Sequence, residues 1–473
     1  MRVVIVGGGI VGLSVAYFLR ERGAEVVVVD RGRCGQGTSR GNTGWITPGI
    51  SSDPLAAPGV VGQALRWTLR RTSPFSIQPR PSLDLARWLW GFWRSSGPEP
   101  YRRGMNALVR LNARTLEILD RFTASGVAFE MYRDGLLYPT LSAAAARKIA
   151  ATYARLRAAG YHGQVHELGR DDIHELEPAL GPAVTGGAYS VDERHVRPET
   201  LTSGLVDALA RSGVSLLEDS GVTALRRHSS GWRLTLEHDE LRADVVVVAS
   251  GSWSRPLLAG LGVRLPLRSG KGYSVTASGR GTRPARPLYM VESRVALSPY
   301  EPDLLRIGGT LEVTAYDESL TRRRLDLLLE VTRQYLGDWR AGAVELEWAG
   351  LRPLVPDSLP VVGPIPGHQG LYVATGHGMI GMTAGPPSGL ELANLILDGR
   401  EGETIRPFLP ARLLSSRRWV PSILRHRATE VAMPREHTLS GEFIHHDQDR
   451  SRAPALTVES GDTRALDAGS VVT

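Results

Sequence analysis

Residues 1–30 read MRVVIVGGGIVGLSVAYFLRERGAEVVVVD, and this stretch decides the fold. The β-branched run at 3–6 predicts a strand buried on both faces, and 26–29 repeats the pattern. Three glycines between these strands, at the spacing Gly-x-Gly-x-x-Gly, open a segment with helical periodicity. Strand, glycine turn, helix and second strand together predict a Rossmann-like unit, so the predicted fold class is α/β.

Each glycine of the turn has its own physical role. Gly7 permits the tight turn, Gly9 lets a pyrophosphate approach the backbone, and Gly12 lets the helix pack close to the strand. The helix N-terminus adds unpaired N–H groups and a partial positive charge. Asp30 follows Gly12 by eighteen positions (30 − 12), where a carboxylate accepts hydrogen bonds from a ribose diol. The complete unit predicts a bound dinucleotide rather than a glycine-rich turn that binds nothing.

The segment after Asp30 indicates which dinucleotide is bound. Positions 31–44 form a small, polar, glycine-rich loop instead of another β–α repeat, which favours the extended cofactor FAD over NAD. Arg31 and Arg33 raise the alternative of a 2′-phosphate and NADP. Because arginine is abundant throughout the chain, we interpret both side chains as surface charges.

Three motifs carry a resemblance to a known family: GGGIVG with Asp30, TSRGNTGWITPG at 38–49 and GLRP at 350–353. With them the chain resembles the FAD-dependent D-amino-acid oxidases and glycine oxidases and, most closely, bacterial D-amino-acid dehydrogenases, from its start to about residue 400. The resemblance implies a Rossmann-like FAD-binding domain interleaved with an α+β substrate domain on a mainly antiparallel sheet. We assign 1–53, 195–265 and 345–410 to the first domain, and 54–194 and 266–344 to the second. Residues 411–473 are polar and typical of a disordered C-terminal extension.

The resemblance also implies the cofactor contacts. We expect FAD to be held non-covalently, because the loop after Thr38 has no histidine for flavinylation and no cysteine lies near Gly376. The positions expected to contact FAD are Gly7, Gly9, Ile10, Val11, Gly12, Asp30, Arg31, Ser39, Asn42, Val222, Gly251, Gly376, Gly378, Met379, Gly381 and Met382.

Arg352 is the strongest catalytic candidate. It lies in a glycine- and proline-rich turn between apolar strands, and a buried arginine is costly unless it meets an anion. In the family the arginine of this motif binds the substrate carboxylate; an internal salt bridge is the alternative. Tyr273 is predicted either to contact substrate or flavin through its hydroxyl or to be a core tyrosine. His377 is expected to orient its turn through hydrogen bonds rather than to act as a base.

The resemblance implies oxidative deamination of D-amino acids to 2-oxo acids and ammonia, with hydride transfer to flavin N5. Electrons then pass to a quinone-type acceptor or another electron-transfer partner. Three alternatives stay open: a D-hydroxyproline dehydrogenase, a glycine- or sarcosine-type oxidase that uses oxygen, and a non-catalytic FAD-binding subunit. Glycine oxidases have an arginine after their Gly-His, where this chain has Gly-Met-Ile-Gly at 378–381, which weakens that reading.

Composition excludes several other classes. The net charge is +7, yet only Lys148 and Lys271 of the 56 basic residues are lysines, and no basic run alternates with aromatics, so nucleic-acid binding is not expected. The single Cys34 excludes an intrachain disulfide and a multi-cysteine metal site. We predict no metal site, a cytoplasmic location, and no segment with the roughly 18 apolar residues needed to span a bilayer.

Two further segments carry structural predictions. Residues 82–95, SLDLARWLWGFWRS, form a helix that is apolar on nearly every side. Burial explains this best; a helix lying in a bilayer interface, with peripheral membrane contact, is the other reading. Residues 127–132 and 135–140 are predicted to pair as a hairpin.

Overall fold

The first strand, β1 (Arg2–Val6), forms the centre of a parallel sheet because its valines and isoleucine are buried on both faces. β1 pairs in parallel with β2 (Glu25–Val29) and with β14 (Val245–Val248), so the strand of the glycine turn lies between two others. The order of the sheet is β10 (Ser215–Leu217), β2 (Glu25–Val29), β1, β14 (Val245–Val248), β21 (Leu371–Thr375) and β20 (Val361–Pro364), of which β20 is antiparallel. The computed structural model describes residues 1–62, 64, 75–77 and 82–414.

Some of the helices cover this sheet, and the others lie elsewhere in the described residues. Gly389 brings two of them into close contact, since a Cβ there would lie 2.7 Å from the Cβ of Ser14 on the opposing helix. The α-helices of the described residues are α1 (Ile10–Glu21), α2 (Leu83–Ser95), α3 (Pro98–Asn112), α4 (Thr115–Ala124), α5 (Ala143–Ala158), α6 (Arg170–Leu176), α7 (Pro198–Arg211), α8 (Ser254–Ala259), α9 (Arg322–Tyr335), α10 (Gly381–Asp398) and α11 (Ala411–Leu414).

The largest sheet of the described residues is mainly antiparallel, and we call it the substrate sheet. Its order is β19 (Arg340–Leu354), β15 (Arg268–Arg280), β18 (Leu304–Thr314), β17 (Val295–Tyr300), β16 (Leu288–Met290), β6 (Leu136–Thr140), β8 (Gly186–Ser190) and β7 (Val165–Leu168), with β4 (Phe75–Ile77) beside β18. Helix α9 packs on one of its faces through Leu325, Leu328 and Val331.

Two small sheets complete the described strands. One contains β11 (Val222–His228), β12 (Gly231–Leu236) and β13 (Glu240–Ala243); the other contains β3 (Trp45–Ile46), β9 (Arg194–Val196) and β5 (Met131–Tyr132). The α/β fold class with a mainly antiparallel second sheet is confirmed. The division into domain segments stays a prediction: β19 runs through the boundary placed at 344/345, and Met1–Pro421 forms one compact unit.

Two local predictions are wrong. Residues 127–140 contain no hairpin, because β5 pairs with β9 whereas β6 pairs with β8 and β16. Helix α2 is not buried as predicted from its apolar composition: Trp90 is 42% and Trp93 is 57% exposed, and only Trp88 and Gly91 are buried. Its apolar residues divide between a covered face and an open one.

The described residues hold no helix with the length and apolarity required to cross a membrane. They also hold no cluster of three or more metal-binding side chains. The first four residues of the predicted C-terminal extension form α11, and its remainder, 415–473, lies outside the described residues.

Candidate active site

The turn between β1 and α1 forms a cradle without side chains. Gly7 has a φ of +111°, and a Cβ there would lie 2.6 Å from the carbonyl oxygen of Ala249. A Cβ on Gly12 would lie 1.9 Å from the carbonyl oxygen of Gly7, so strand and helix touch backbone to backbone. Gly9 caps α1 in an extended conformation. The result is a helix N-terminus that a phosphate can approach closely.

Asp30 lies against this cradle. Its carboxylate oxygens accept hydrogen bonds from the amides of Gly8 (2.7 Å) and Gly32 (3.0 Å), and burial raises the pKa of the carboxyl. A carboxylate has about four acceptor positions, so capacity remains for ribose hydroxyls. At the helix start, the amide of Ile10 donates to the hydroxyl of Ser39 (3.0 Å), which ties the 38–49 loop to the cradle.

Other predicted contact positions surround the same edge of the sheet. The guanidinium of Arg31 lies over the ring of Trp253, 3.7 Å from its centroid, and 3.7 Å from a carboxylate oxygen of Glu318. Its side chain is therefore already partnered, which agrees with the surface-charge reading. Val222 opens strand β11, and Gly251 opens the turn after β14 with a φ of +54°. Val11 contacts the opposing helix, 3.3 Å from the position of a Cβ on Gly385.

A second glycine turn, at 376–382, connects β21 to α10. Gly376 and Gly378 have φ values of +77° and +52°, and α10 begins with Gly381 and Met382. The amide of Gly378 donates to the carbonyl of Pro353 (3.0 Å). This hydrogen bond joins the turn to the strand end that carries Arg352.

His377 is buried in the same turn. One ring nitrogen, Nε2, is 3.0 Å from Oγ of Ser388, and burial lowers the imidazole pKa to about 3. A neutral ring that is hydrogen-bonded to a helix side chain orients the turn, as predicted, and is unsuited to accept a proton.

Arg352 lies on β19 with its guanidinium over Gly272 of the neighbouring strand. A Cβ on Gly272 would lie 2.2 Å from Cζ of Arg352, so the missing side chain makes room for the cation. Nη1 donates to the carbonyl of Thr310 (2.6 Å). Burial lowers its pKa to about 10, which keeps it charged at neutral pH. Among the described residues no carboxylate forms an ion pair with it, so the guanidinium can accept an external anion.

Tyr273 does not share this site, so its predicted contact with substrate or flavin is wrong. Register places Gly272 on the face of β15 that carries Arg352, and Tyr273 on the opposite face. Its hydroxyl is 3.1 Å from Oε2 of Glu312 and 3.1 Å from Oγ1 of Thr321. Tyr273 is a core residue beneath α9.

Asn42 shapes the loop 38–49 from within. Its side-chain amide donates to the carbonyls of Thr38 (3.3 Å) and Ser39 (3.0 Å), and its side-chain oxygen accepts from the amide of Gly44 (2.8 Å). Both polar atoms of its side chain therefore bond within the loop. A cofactor contact at Asn42 would have to come from its backbone.

Sequence reasoning missed an apolar cavity next to the second glycine turn. Its walls include Met379 of the turn, Leu354 at the end of β19, and Trp88 and Phe92 of α2. The two aromatic rings stack at 5.5 Å between centroids. Sequence reasoning also missed the role of Gly272. A single glycine within a strand pattern often marks the close approach of another group, so the sequence did hold a signal for it.

Residues 2–395 match the family described as FAD dependent oxidoreductase (DAO), and the chain belongs to this family. It is 32% identical over 410 residues to a D-amino acid dehydrogenase of Chromohalobacter salexigens, covering 85% of this chain and 96% of that protein. It is 35% identical over 421 residues to one of Cereibacter sphaeroides, covering 85% and 93%.

Solved structures share the fold. Glycine oxidase from Geobacillus kaustophilus aligns with a TM-score of 0.69 at 24% identity, covering 87% of this chain and 99% of that one. L-Proline dehydrogenase from P. horikoshii aligns with a TM-score of 0.68 at 18% identity, covering 87% and 97%. FAD is the cofactor of the family, and the side-chain-free cradle with Asp30 beside it fits an FAD diphosphate and ribose. The predicted cofactor is confirmed.

A buried carboxyl, Glu193, holds the end of the 38–49 loop. Its Oε1 accepts from the amide of Gly49 (2.9 Å) and from the hydroxyl of Tyr161 (3.3 Å), whereas Oε2 has no hydrogen-bond partner among the described residues. Burial raises the pKa of Glu193 to about 8. The carboxyl is therefore mostly protonated at neutral pH.

We expect Glu193→Gln to flatten the pH dependence of stability. Because the pKa in the folded protein exceeds the ordinary 4.5, the wild type loses unfolding free energy as pH rises from about 4.5 to about 8. Glutamine keeps the shape without the charge, so the variant avoids a loss of roughly 5 kcal/mol, at about 1.4 kcal/mol for each unit of pKa difference. Urea denaturation at pH 5 to 9 measures this, with the exposed Glu401→Gln as control. Parallel curves for wild type and Glu193→Gln would contradict a neutral carboxyl.

Proposed function

We propose that this chain is an FAD-dependent D-amino-acid dehydrogenase that converts D-amino acids to 2-oxo acids and ammonia. The relatives named D-amino acid dehydrogenase, at 32% and 35% identity, support this reaction. The observation that carries the proposal is the charged guanidinium of Arg352, which has no ion-pair partner among the described residues. The carboxylate of a free amino acid is the anion that this cation lacks.

The chain would hold FAD through both of its glycine turns and the loop 38–49. Gly7, Gly9 and Gly12 would bind the diphosphate and Asp30 the ribose, while the loop 38–49 and the turn 376–382 would bind the isoalloxazine. When bound, FAD supplies the two-electron oxidation of the substrate C–N bond.

The protein side of the reaction is mainly binding and orientation. Arg352 binds the substrate carboxylate, and Thr310 fixes the guanidinium through its carbonyl. Gly272 leaves the space that the guanidinium fills. His377 takes no proton, because its buried ring is neutral and hydrogen-bonded to Ser388. The substrate amine loses its proton to solvent, and orientation by Arg352 provides most of the rate enhancement.

We expect Arg352→Met to lower kcat/KM for D-alanine about 100-fold or more. Leaving the substrate carboxylate without its cation in a buried site costs about 2–5 kcal/mol. The rate of anaerobic flavin reduction, read as loss of visible absorbance, measures the effect. Arg110→Met, which alters an exposed arginine on α3, is the matched control and should leave the rate unchanged. Equal rates for wild type and Arg352→Met would contradict the carboxylate assignment.

A substrate and acceptor panel separates the proposed reaction from its competitors. We expect D-alanine to bleach the flavin anaerobically and L-alanine to leave it oxidised. A soluble ubiquinone analogue should then restore the absorbance faster than air-saturated buffer does. Faster recovery with oxygen would indicate an oxidase, preference for glycine or hydroxyproline another substrate class, and no bleaching by any amine a non-catalytic FAD-binding subunit.

We also propose that the open face of α2 contacts an anionic lipid surface, where a quinone acceptor would be available. Trp90 and Trp93 expose large apolar surfaces there. Asp84 at the start of the helix is shared by two arginines, Arg255 and Arg268, each 2.7 Å away, so the surroundings stay cationic. Basic residues around an exposed aromatic face favour anionic headgroups. The cytoplasmic location stays a prediction.

Replacing Trp90 and Trp93 together by serine should reduce binding to vesicles of phosphatidylglycerol at least several-fold. Co-sedimentation of the full chain, compared with phosphatidylcholine vesicles, measures this. The control replaces Leu320 and Val344, which are 48% and 45% exposed elsewhere, by serine. If the control loses binding equally, or if the wild type does not sediment with either vesicle, α2 has no such role.

A further inference from the structure

The substrate sheet binds every backbone carbonyl of residues 40–43, which we call the loop carbonyls. Side-chain donors reach four successive peptide units of the cofactor loop 38–49. The pairs are Arg306 Nη1 with Arg40 (3.2 Å) and Asn42 (3.1 Å), Ser274 Oγ with Gly41 (2.6 Å), and Ser298 Oγ (2.7 Å) and Tyr300 OH (3.0 Å) with Thr43.

These donors share one face of the sheet. Arg306 on β18 pairs in register with Thr276 on β15 and with Ser298 on β17, so the three side chains lie side by side. Ser274 lies two residues before Thr276 on the same face, which is also the face of Arg352. One side of the substrate sheet therefore serves both the carboxylate site and the cofactor loop.

Arg306 is the central donor, and its charge is already compensated. Its side chain is 3% exposed and pairs with Glu199 through two hydrogen bonds of 2.7 and 3.1 Å. Its Nε donates to Oγ1 of Thr276 (2.8 Å). The guanidinium is planar and rigid, so the bonds of Nε to Thr276 and of Nη2 to Glu199 also fix the position of Nη1. From that position Nη1 donates to the loop carbonyls of Arg40 and Asn42. Arg306 therefore does not bind the substrate.

Because the carbonyls of residues 40–43 are held by the sheet, the amides of the same peptide units point away from it. The amides of Gly41, Asn42 and Thr43 donate no hydrogen bond within the described residues, although the carbonyls of the same segment are all bound. Unpaired amides in a half-buried loop require acceptors. The isoalloxazine of FAD has carbonyl oxygens and ring nitrogens that accept hydrogen bonds.

We propose that Arg306, held by Glu199, is a positioning residue that fixes the loop carbonyls and thereby presents the amides of 41–43 to the flavin ring. This inference rests on the FAD dependence of the family and not on the identity of the substrate. It assigns a cofactor-tuning role to a residue whose guanidinium nitrogens all bond to acceptors within the protein.

The test measures FAD itself rather than turnover. In Arg306→Met the bonds to Arg40 and Asn42 are lost, so the FAD dissociation constant should rise about tenfold or more, measured by flavin fluorescence quenching on FAD-depleted protein. The visible flavin bands and the flavin midpoint potential of the reconstituted protein should also shift. Arg306→Lys, which keeps the charge beside Glu199, should recover part of each change.

Two further variants separate positioning from general loss of structure. Ser274→Ala removes only the donor to Gly41 and should shift the flavin bands in the same direction but by less. Arg286→Met removes a partly buried arginine that pairs with Glu177 (3.7 Å) and donates to the carbonyl of Leu176 rather than to the loop, and should lower the Tm without changing the bands or the FAD dissociation constant. The proposal is overturned if the Arg306 variants bind FAD like the wild type with unchanged bands, or if Arg286→Met produces the same changes.

Discussion

The backbone contact between Gly12 and the carbonyl of Gly7 is the constraint on which the rest of this structure depends. It holds α1 directly against β1, and β1 lies between β2 and β14 in the central sheet. The helix can reach this position only because no side chain intervenes. Asp30 and Ser39 then bind the amides that the turn leaves open, so both the adenosine side and the cofactor loop are fixed relative to one glycine turn.

The two faces of the substrate sheet have different roles. One face carries Arg352 and the donors to the cofactor loop; the other packs its apolar residues and Tyr273 beneath α9. The guanidinium of Arg352 lies over Gly272, where no side chain intervenes, and gives this face a buried positive charge. Arg352 itself lies on a strand, so the position of its guanidinium does not depend on a loop.

Local patterns predicted the fold where contacts are local. The β1–α1–β2 unit, the strand β14 and the β21–α10 turn each appear in the sequence as a complete strand and glycine turn. The pairing of β5 with β9 could not be read in this way, since the partners lie more than 60 residues apart. Tyr273 was misplaced because a shift of one residue along a strand changes the face. Arg306 left no signal at all, because its carbonyl partners lie 264 and 266 residues earlier.

The shared face of the sheet has a consequence for the evolution of substrate range in this chain. Ser274, Ser298 and Arg306 lie on the same face of the sheet as Arg352, and their side chains hold the loop 38–49. Thr276, on the same face, holds Arg306. Mutations on this face of the sheet that change substrate range therefore also weaken the binding of the cofactor. The apolar cavity beside α2 differs in this respect: its lining residues Trp88, Phe92 and Leu354 are not among the side chains that hold the loop 38–49, so substitutions there leave the loop hydrogen bonds in place.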